Sequence, residues 1–115
     1  MKFSYDREKK EGIVIYRLIG RLFEIEDAKE MLDEFEKDIA KDEKKFVINL
    51  KSIENLNSSG LNILINIFTK ARNNYGELLL ADLTIRIKEL LITTKLLNIF
   101  VVEPTEAAAI EKINS

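Results

Sequence analysis

Neither cysteine nor histidine occurs anywhere in this 115-residue chain. Without thiols there is no disulfide framework and no cysteine nucleophile, as befits a reducing, cytoplasmic setting. Without imidazoles, Ser-His-Asp and Cys-His catalysis and histidine-ligated metals are excluded. A metal site would need oxygen ligands alone, and Asp6, Asp27, Asp33 and Asp82 fall at scattered spacings that make no carboxylate pair. Glycine (4) and proline (1) are scarce, so no stretch reads as an interdomain linker. There is no internal repeat. The opening "MKFSYDREKK" lacks the apolar segment of a signal peptide. No run approaches the roughly 18 apolar residues of a membrane span. The expectation is one cytoplasmic domain, residues 1–115, with no membrane association.

Neither sign of charge dominates. Twenty acids stand against eighteen bases, for a net charge of −2, which leaves no basic face for nucleic acid and no polybasic handle for anionic lipid. Hydrophobic residues make up 46% of the chain, enough for a core that needs no staple. A chain of this length buries roughly two thirds of the surface it exposes when unfolded.

The apolar pattern gives the order of elements. Lys2–Arg7 alternates, with Phe3 and Tyr5 on one face, as an edge strand would, and "EKKEG" reads as a turn. "IVIYRLI" (Ile13–Ile19) is nearly continuous, as expected of a strand covered on both faces. From Ile25 the period changes: Ile25, Ala28, Met31, Leu32, Phe35 and Ile39 form one stripe of a surface helix. "EKDIAKDEKK" (Glu36–Lys45) reads as the solvated end of that helix and its loop.

"KFVINL" (Lys45–Leu50) is a further interior strand, and Leu61, Leu64, Ile65, Phe68 and Ala71 mark a helix that should stop at Gly76 in a left-handed turn. Tyr75 is expected to pack that helix end. "LLLADL" (Leu78–Leu83) is a strand, Ile87 to Leu97 a helix, and "IFVV" (Ile99–Val102) a last strand. Ile92, Leu96 and Ile99 are expected in the core, the alternative being exposed apolar area beside the serine turn, and Pro104 is expected at the start of a final helix. The fold class is α/β: a mixed, mostly parallel sheet of about five strands, with an N-terminal hairpin and about four helices.

One stretch carries chemistry. "SIENLNSSG" (Ser52–Gly60) follows a strand, where open α/β sheets meet their ligands and partners. Asn57 can accept a hydrogen bond from a helix N–H as an N-cap, with Ser58, Ser59 and Gly60 in the first turn behind it. First-turn N–H groups lack intrahelical partners and carry partial positive charge, so a phosphate on Ser58 would be held there without disturbing the fold. On local chemistry alone the segment reads first as a plain helix cap, because such caps are common.

The chain resembles the STAS domain family, named for sulfate transporters and anti-sigma-factor antagonists, and within it the small free-standing antagonists. The resemblance rests on "RLIGRL" (Arg17–Leu22), the serine-serine-glycine-leucine turn at Ser58–Leu61 and "LLADLTIRIKELLITTKLLNIFVV" (Leu79–Val102), in that order. It implies a partner, an anti-sigma factor that is itself a serine kinase, whose capture frees a sigma factor. It also implies that the kinase phosphorylates Ser58 to weaken the complex, and that a serine phosphatase restores it. The docking surface implied comprises Arg21, Leu22, Phe23, Glu24, Asn57, Ser58, Ser59, Gly60 and Leu61, on a monomer or weak dimer. Two departures stand out. Antagonists usually carry an aspartate where this chain has Asn57, and often another where it has Phe23.

Other functions fare less well. A serine hydrolase would need a base, and neither histidine nor a G-x-S-x-G turn is present. Both G-x-x-x-x-G-K-[ST] and G-x-G-x-x-G are absent, which removes the usual phosphate cradles for nucleotides. No cofactor or enzymatic activity is expected. The alternative is a STAS subunit of a stress-signalling or lipid-transport complex in which Ser58 is never phosphorylated.

Overall fold

A computed structural model describes residues 2–115. Five strands form a single sheet: β1 (Ser4–Lys10), β2 (Ile13–Leu22), β3 (Lys45–Leu56), β4 (Glu77–Ala81) and β5 (Val101–Glu103). Four α-helices accompany them: α1 (Lys29–Ala40), preceded by a 3-10 turn at Ile25–Ala28, α2 (Ser58–Asn73), α3 (Ile85–Thr93) and α4 (Glu106–Asn114). The strand order, which the sequence pattern leaves open, is β1-β2-β3-β4-β5. β1 is antiparallel to β2 and every other pair is parallel.

This order dictates the layers. Right-handed crossovers that always step to the next strand place their helices on one face of the sheet. Val14, Tyr16 and Leu18 of β2, with Phe46, Ile48 and Leu50 of β3, pack in one core with residues of α1, α2 and α3. The alternate residues Ile13, Ile15 and Val47, with Leu79 and Ala81, meet Ala109, Ile110 and Ile113 of α4 in a second core on the other face. Coverage on both sides is why "IVIY" is an unbroken apolar run.

Several bounds differ from the sequence reading. β1 runs on through Lys10, and the turn is only Glu11-Gly12, with φ of 54° and 80°. Two left-handed residues fit a two-residue hairpin, and charged side chains along β1 suit an exposed edge. β3 continues six residues past Leu50, because β2 extends beside it and pairs Leu22 with Leu56. Ile53 and Leu56 are buried along that extension, so a segment that reads as a polar loop is half of a strand. β5 starts at Val101, and Pro104 lies outside α4, whose cap is Thr105. α3 stops at Thr93 rather than Leu97, since Lys95 turns left-handed with φ of 61°.

The stop after α2 also works differently. Tyr75, not Gly76, takes the left-handed conformation (φ 64°) and is 92% exposed rather than packed. Gly76 is required by close approach: an added Cβ would lie 2.7 Å from the Lys44 carbonyl oxygen. Ile92 and Ile99, expected in the core, are 53% and 49% exposed, while Leu96 packs partly against it. Ile25 is exposed as well, because the 3-10 turn rotates it off the stripe that Ala28, Met31 and Phe35 bury.

Asp38 reverses another expectation. It belongs to the stretch read as solvated, yet it is only 3% exposed. It lies three residues after Phe35 and seven after Met31, on the buried side of α1. There its carboxylate accepts from the Tyr16 hydroxyl and, through both oxygens, from Arg7, with the Nε–Oδ2 distance 3.1 Å. Burial and the neighbouring carboxylate push the Tyr16 phenol well above its usual range.

Candidate functional site

The serine pair sits where β3 passes into α2 through one extended residue, Asn57. The Asn57 side-chain oxygen accepts from the Gly60 N–H at 3.1 Å, and its carbonyl accepts from Leu61 N–H at 2.9 Å. This is the cap that the sequence suggests. The other half of the side chain adds a tie not visible in the sequence: the Asn57 amide donates to the Phe23 carbonyl at 3.0 Å. The β3–α2 junction is thereby fastened to the turn that follows β2. Aspartate could make the first contact but has no donor for the second.

Gly60 fixes how closely these pieces approach. It is buried, and an added Cβ would collide with the Leu22 carbonyl oxygen and lie 2.8 Å from Leu56 Cβ. Leu22 and Leu61 are buried in the core, where they anchor the backbone beneath the surface. Ser58 and Ser59 stand exposed above them. Arg21 and Glu24 are also exposed and Phe23 is half-buried. Arg21 and Leu22 belong to β2, paired with Asn55 and Leu56, so the turn itself is only Phe23 and Glu24. Glu24 N–H donates to Asp27 Oδ2 at 3.3 Å, which braces that turn.

The first turn of α2 contains no acid. With Gly60 and Leu61 N–H groups engaged, those of Ser58 and Ser59 remain as the positive end of a 16-residue helix. Neither serine hydroxyl makes a side-chain hydrogen bond among the described residues. An exposed hydroxyl in this setting is chemically able to accept a phosphoryl group.

A second polar cluster, which sequence reasoning missed, lies on the α4 face of the sheet. Arg17 grips Glu106 through two bonds of 2.9 Å and also reaches Asp6 at 2.8 Å and Glu8 at 2.7 Å. Asn49 donates to Glu106 at 2.9 Å and to Asp82 at 3.2 Å, and Asp82 accepts from the Glu106 N–H at 3.0 Å. The Arg17 guanidinium, with help from Asn49, holds the Glu106 carboxyl below the usual range. These contacts moor the start of α4 to the sheet. The partners are up to 89 positions apart in the chain, and no local pattern announces such a cluster. Among the described residues no group of three or more acids is placed to hold a metal ion, and no helix is long and apolar enough to cross a membrane.

Comparison with known proteins agrees with this architecture. The STAS domain family model matches residues 4–109, and the chain belongs to that family. A candidate anti-sigma factor antagonist from Thermotoga maritima superposes with a TM-score of 0.87 at 21% identity, covering 96% of this chain and 95% of that one. An anti-sigma factor antagonist from Mycobacterium paratuberculosis gives 0.84 at 20% identity, over 98% and 95%. The Bacillus cell fate determinant SpoIIAA, in its phosphorylated form, gives 0.74 at 16% identity, over 96% and 99%. At such identities the likeness is one of fold.

Proposed function

We propose that this chain is a non-catalytic binding module, an anti-sigma-factor antagonist that captures an anti-sigma factor of the serine-kinase type and frees a sigma factor. Phosphorylation of Ser58 is the off-switch and a serine phosphatase reverses it. The observation that carries this reading is the serine itself: exposed, on the first turn of a helix with no acid to compensate its positive end, over a backbone pinned by Gly60. The docking face comprises Arg21, Phe23, Glu24, Asn57, Ser58 and Ser59, with Leu22, Gly60 and Leu61 shaping it from beneath. A phosphate there adds about −1.5 to −2 charges, which the fold tolerates and a docked partner does not. A loss of about 1.4 kcal/mol is already a tenfold change in binding. In this reading the protein works in the bacterial cytoplasm as a regulator of transcription, as a monomer or weak dimer.

The test is a pull-down from host lysate with wild type, Ser58→Ala and Ser58→Asp as baits, read by mass spectrometry. A kinase-like anti-sigma factor should bind wild type and Ser58→Ala and be lost with Ser58→Asp. One observation favours a second reading. Both polar ends of Asn57 are spent on structure, and it places no acid beside Ser58 for a kinase to read. In that reading the chain is a STAS subunit of a stress-signalling or lipid-transport complex, and all three baits recover the same assembly.

A further inference from the structure

At the far end of α2 from the serines, the sheet has a gap. β3 pairs with β4 from Glu77 onward, but β5 pairs with it only at Leu79, Leu80 and Ala81. On the β5 side, Glu77 and Leu78 therefore face an opening instead of a strand. That opening is a cavity of about 330 Å³. Phe68 and Arg72 of α2 form one wall, Lys112 and Ile113 of α4 the other, and Leu78 the floor between them. Its volume and mostly apolar lining are those of a small-molecule site.

The charges in it are specific. The Arg72 guanidinium lies over the Phe68 ring, 5.5 Å from its centroid, and pairs with no carboxylate among the described residues. Lys112 has only a loose partner, Glu103 at 3.6 Å. Glu77 is the one acid in the lining, and it is exposed. Lys112 is already met by Glu103, and no ion pair joins Arg72 to the exposed Glu77 among the described residues, so the Arg72 guanidinium is the cation of the lining left to be matched. We infer that this gap binds an apolar monocarboxylate, a medium-chain fatty acid. The carboxylate sits between Arg72 and Lys112, and the apolar body lies along Phe68, Leu78 and Ile113. The guanidinium fork suits a carboxylate, and a dianion would exceed the charge available. Ser58 and Arg72 are fourteen residues apart on one helix, about 21 Å, so this site is separate from the serine face.

The test uses the full-length, 15N-labelled protein and NMR titration with octanoate, octanol and octylamine. Octanoate should give saturable shifts clustered on Phe68, on Arg72 to Leu78 and on Ile113. Octanol should bind about tenfold more weakly and octylamine not at all. Arg72→Gln should weaken octanoate by about tenfold, and Arg72→Lys should keep part of the affinity. Arg72 is exposed, so both variants should keep dispersed spectra. If Arg72→Gln nevertheless unfolds, Lys112→Gln gives the same reading from the other wall. The inference fails if octanoate shows no saturable shifts or binds no better than octanol. It also fails if the shifts fall elsewhere, or if neither Arg72→Gln nor Lys112→Gln weakens binding.

Discussion

The side-chain amide of Asn57 donates to the backbone carbonyl of Phe23 across 3.0 Å, tying the residue before the serine pair to the turn after β2. The same side chain accepts from Gly60 N–H, so one residue both caps α2 and sets its position against β2. Replacing it separates the two tasks. Asn57→Asp keeps the cap, gains a favourable charge at the helix N-terminus and loses the tie to Phe23; stability should stay within about 1 kcal/mol of wild type. Asn57→Ala loses both contacts and should cost about 1–2 kcal/mol. Urea unfolding followed by circular dichroism measures both, and an alanine variant as stable as the aspartate variant would refute the division.

Gly60 tests the same junction from below. Its φ is not left-handed, so an alanine there is resisted by contact and not by backbone strain. The colliding groups are the Leu22 carbonyl and Leu56 Cβ, both in strands that pair with each other. They have little room to retreat. Gly60→Ala should cost about 1–3 kcal/mol, like other forced insertions into packed sites. Ser59→Ala, on the exposed side of the same turn, should stay within about 0.5 kcal/mol. The pair of urea midpoints decides it.

The element order and the mixed sheet could be read from periodicity and the Asn57 cap from local chemistry, because each depends on neighbours in sequence. The serine pair stands out only through the resemblance to the STAS family. What escaped depends on neighbours in space. β3 runs to Leu56 because β2 accompanies it, and nothing in "KSIENL" itself announces a strand. Asp38 looks like a solvent residue until its place on the stripe of Met31 and Phe35 is set against Tyr16 and Arg7 from other elements. Phe23 departs from the antagonist pattern in its side chain. It is the Phe23 carbonyl, a group every residue carries, that holds Asn57.

The buried Asp38 gives a large expected effect. Asp38→Ala would leave the Tyr16 hydroxyl without its acceptor and Arg7 with only the 3.6 Å contact to Glu34. Removing one partner of a buried charged cluster costs about 3–5 kcal/mol, and the partial exposure of Arg7 places this case near the lower end. Tyr16→Phe removes only the neutral donor and should cost about 1 kcal/mol. If both variants unfold at the same denaturant concentration, the carboxylate is not the centre of the cluster.

Glu106 makes a pH-dependent contribution whose sign can be worked out. Arg17 and Asn49 hold its carboxyl below the usual range in the folded state, so at acid pH the unfolded chain binds the extra proton first. The stabilisation is therefore complete above the ordinary glutamate pKa of about 4.3, and it is lost as pH falls through the lower, folded-state value. Glu106→Gln keeps an acceptor for Arg17 but has no proton to gain. Compared with wild type, it should be less stable at neutral pH, and the difference should shrink steadily below about pH 4. Urea midpoints of the two proteins from pH 7 down to 3 measure this. A gap that stays constant across that range would mean that Glu106 acts through packing at the start of α4 and not through its charge.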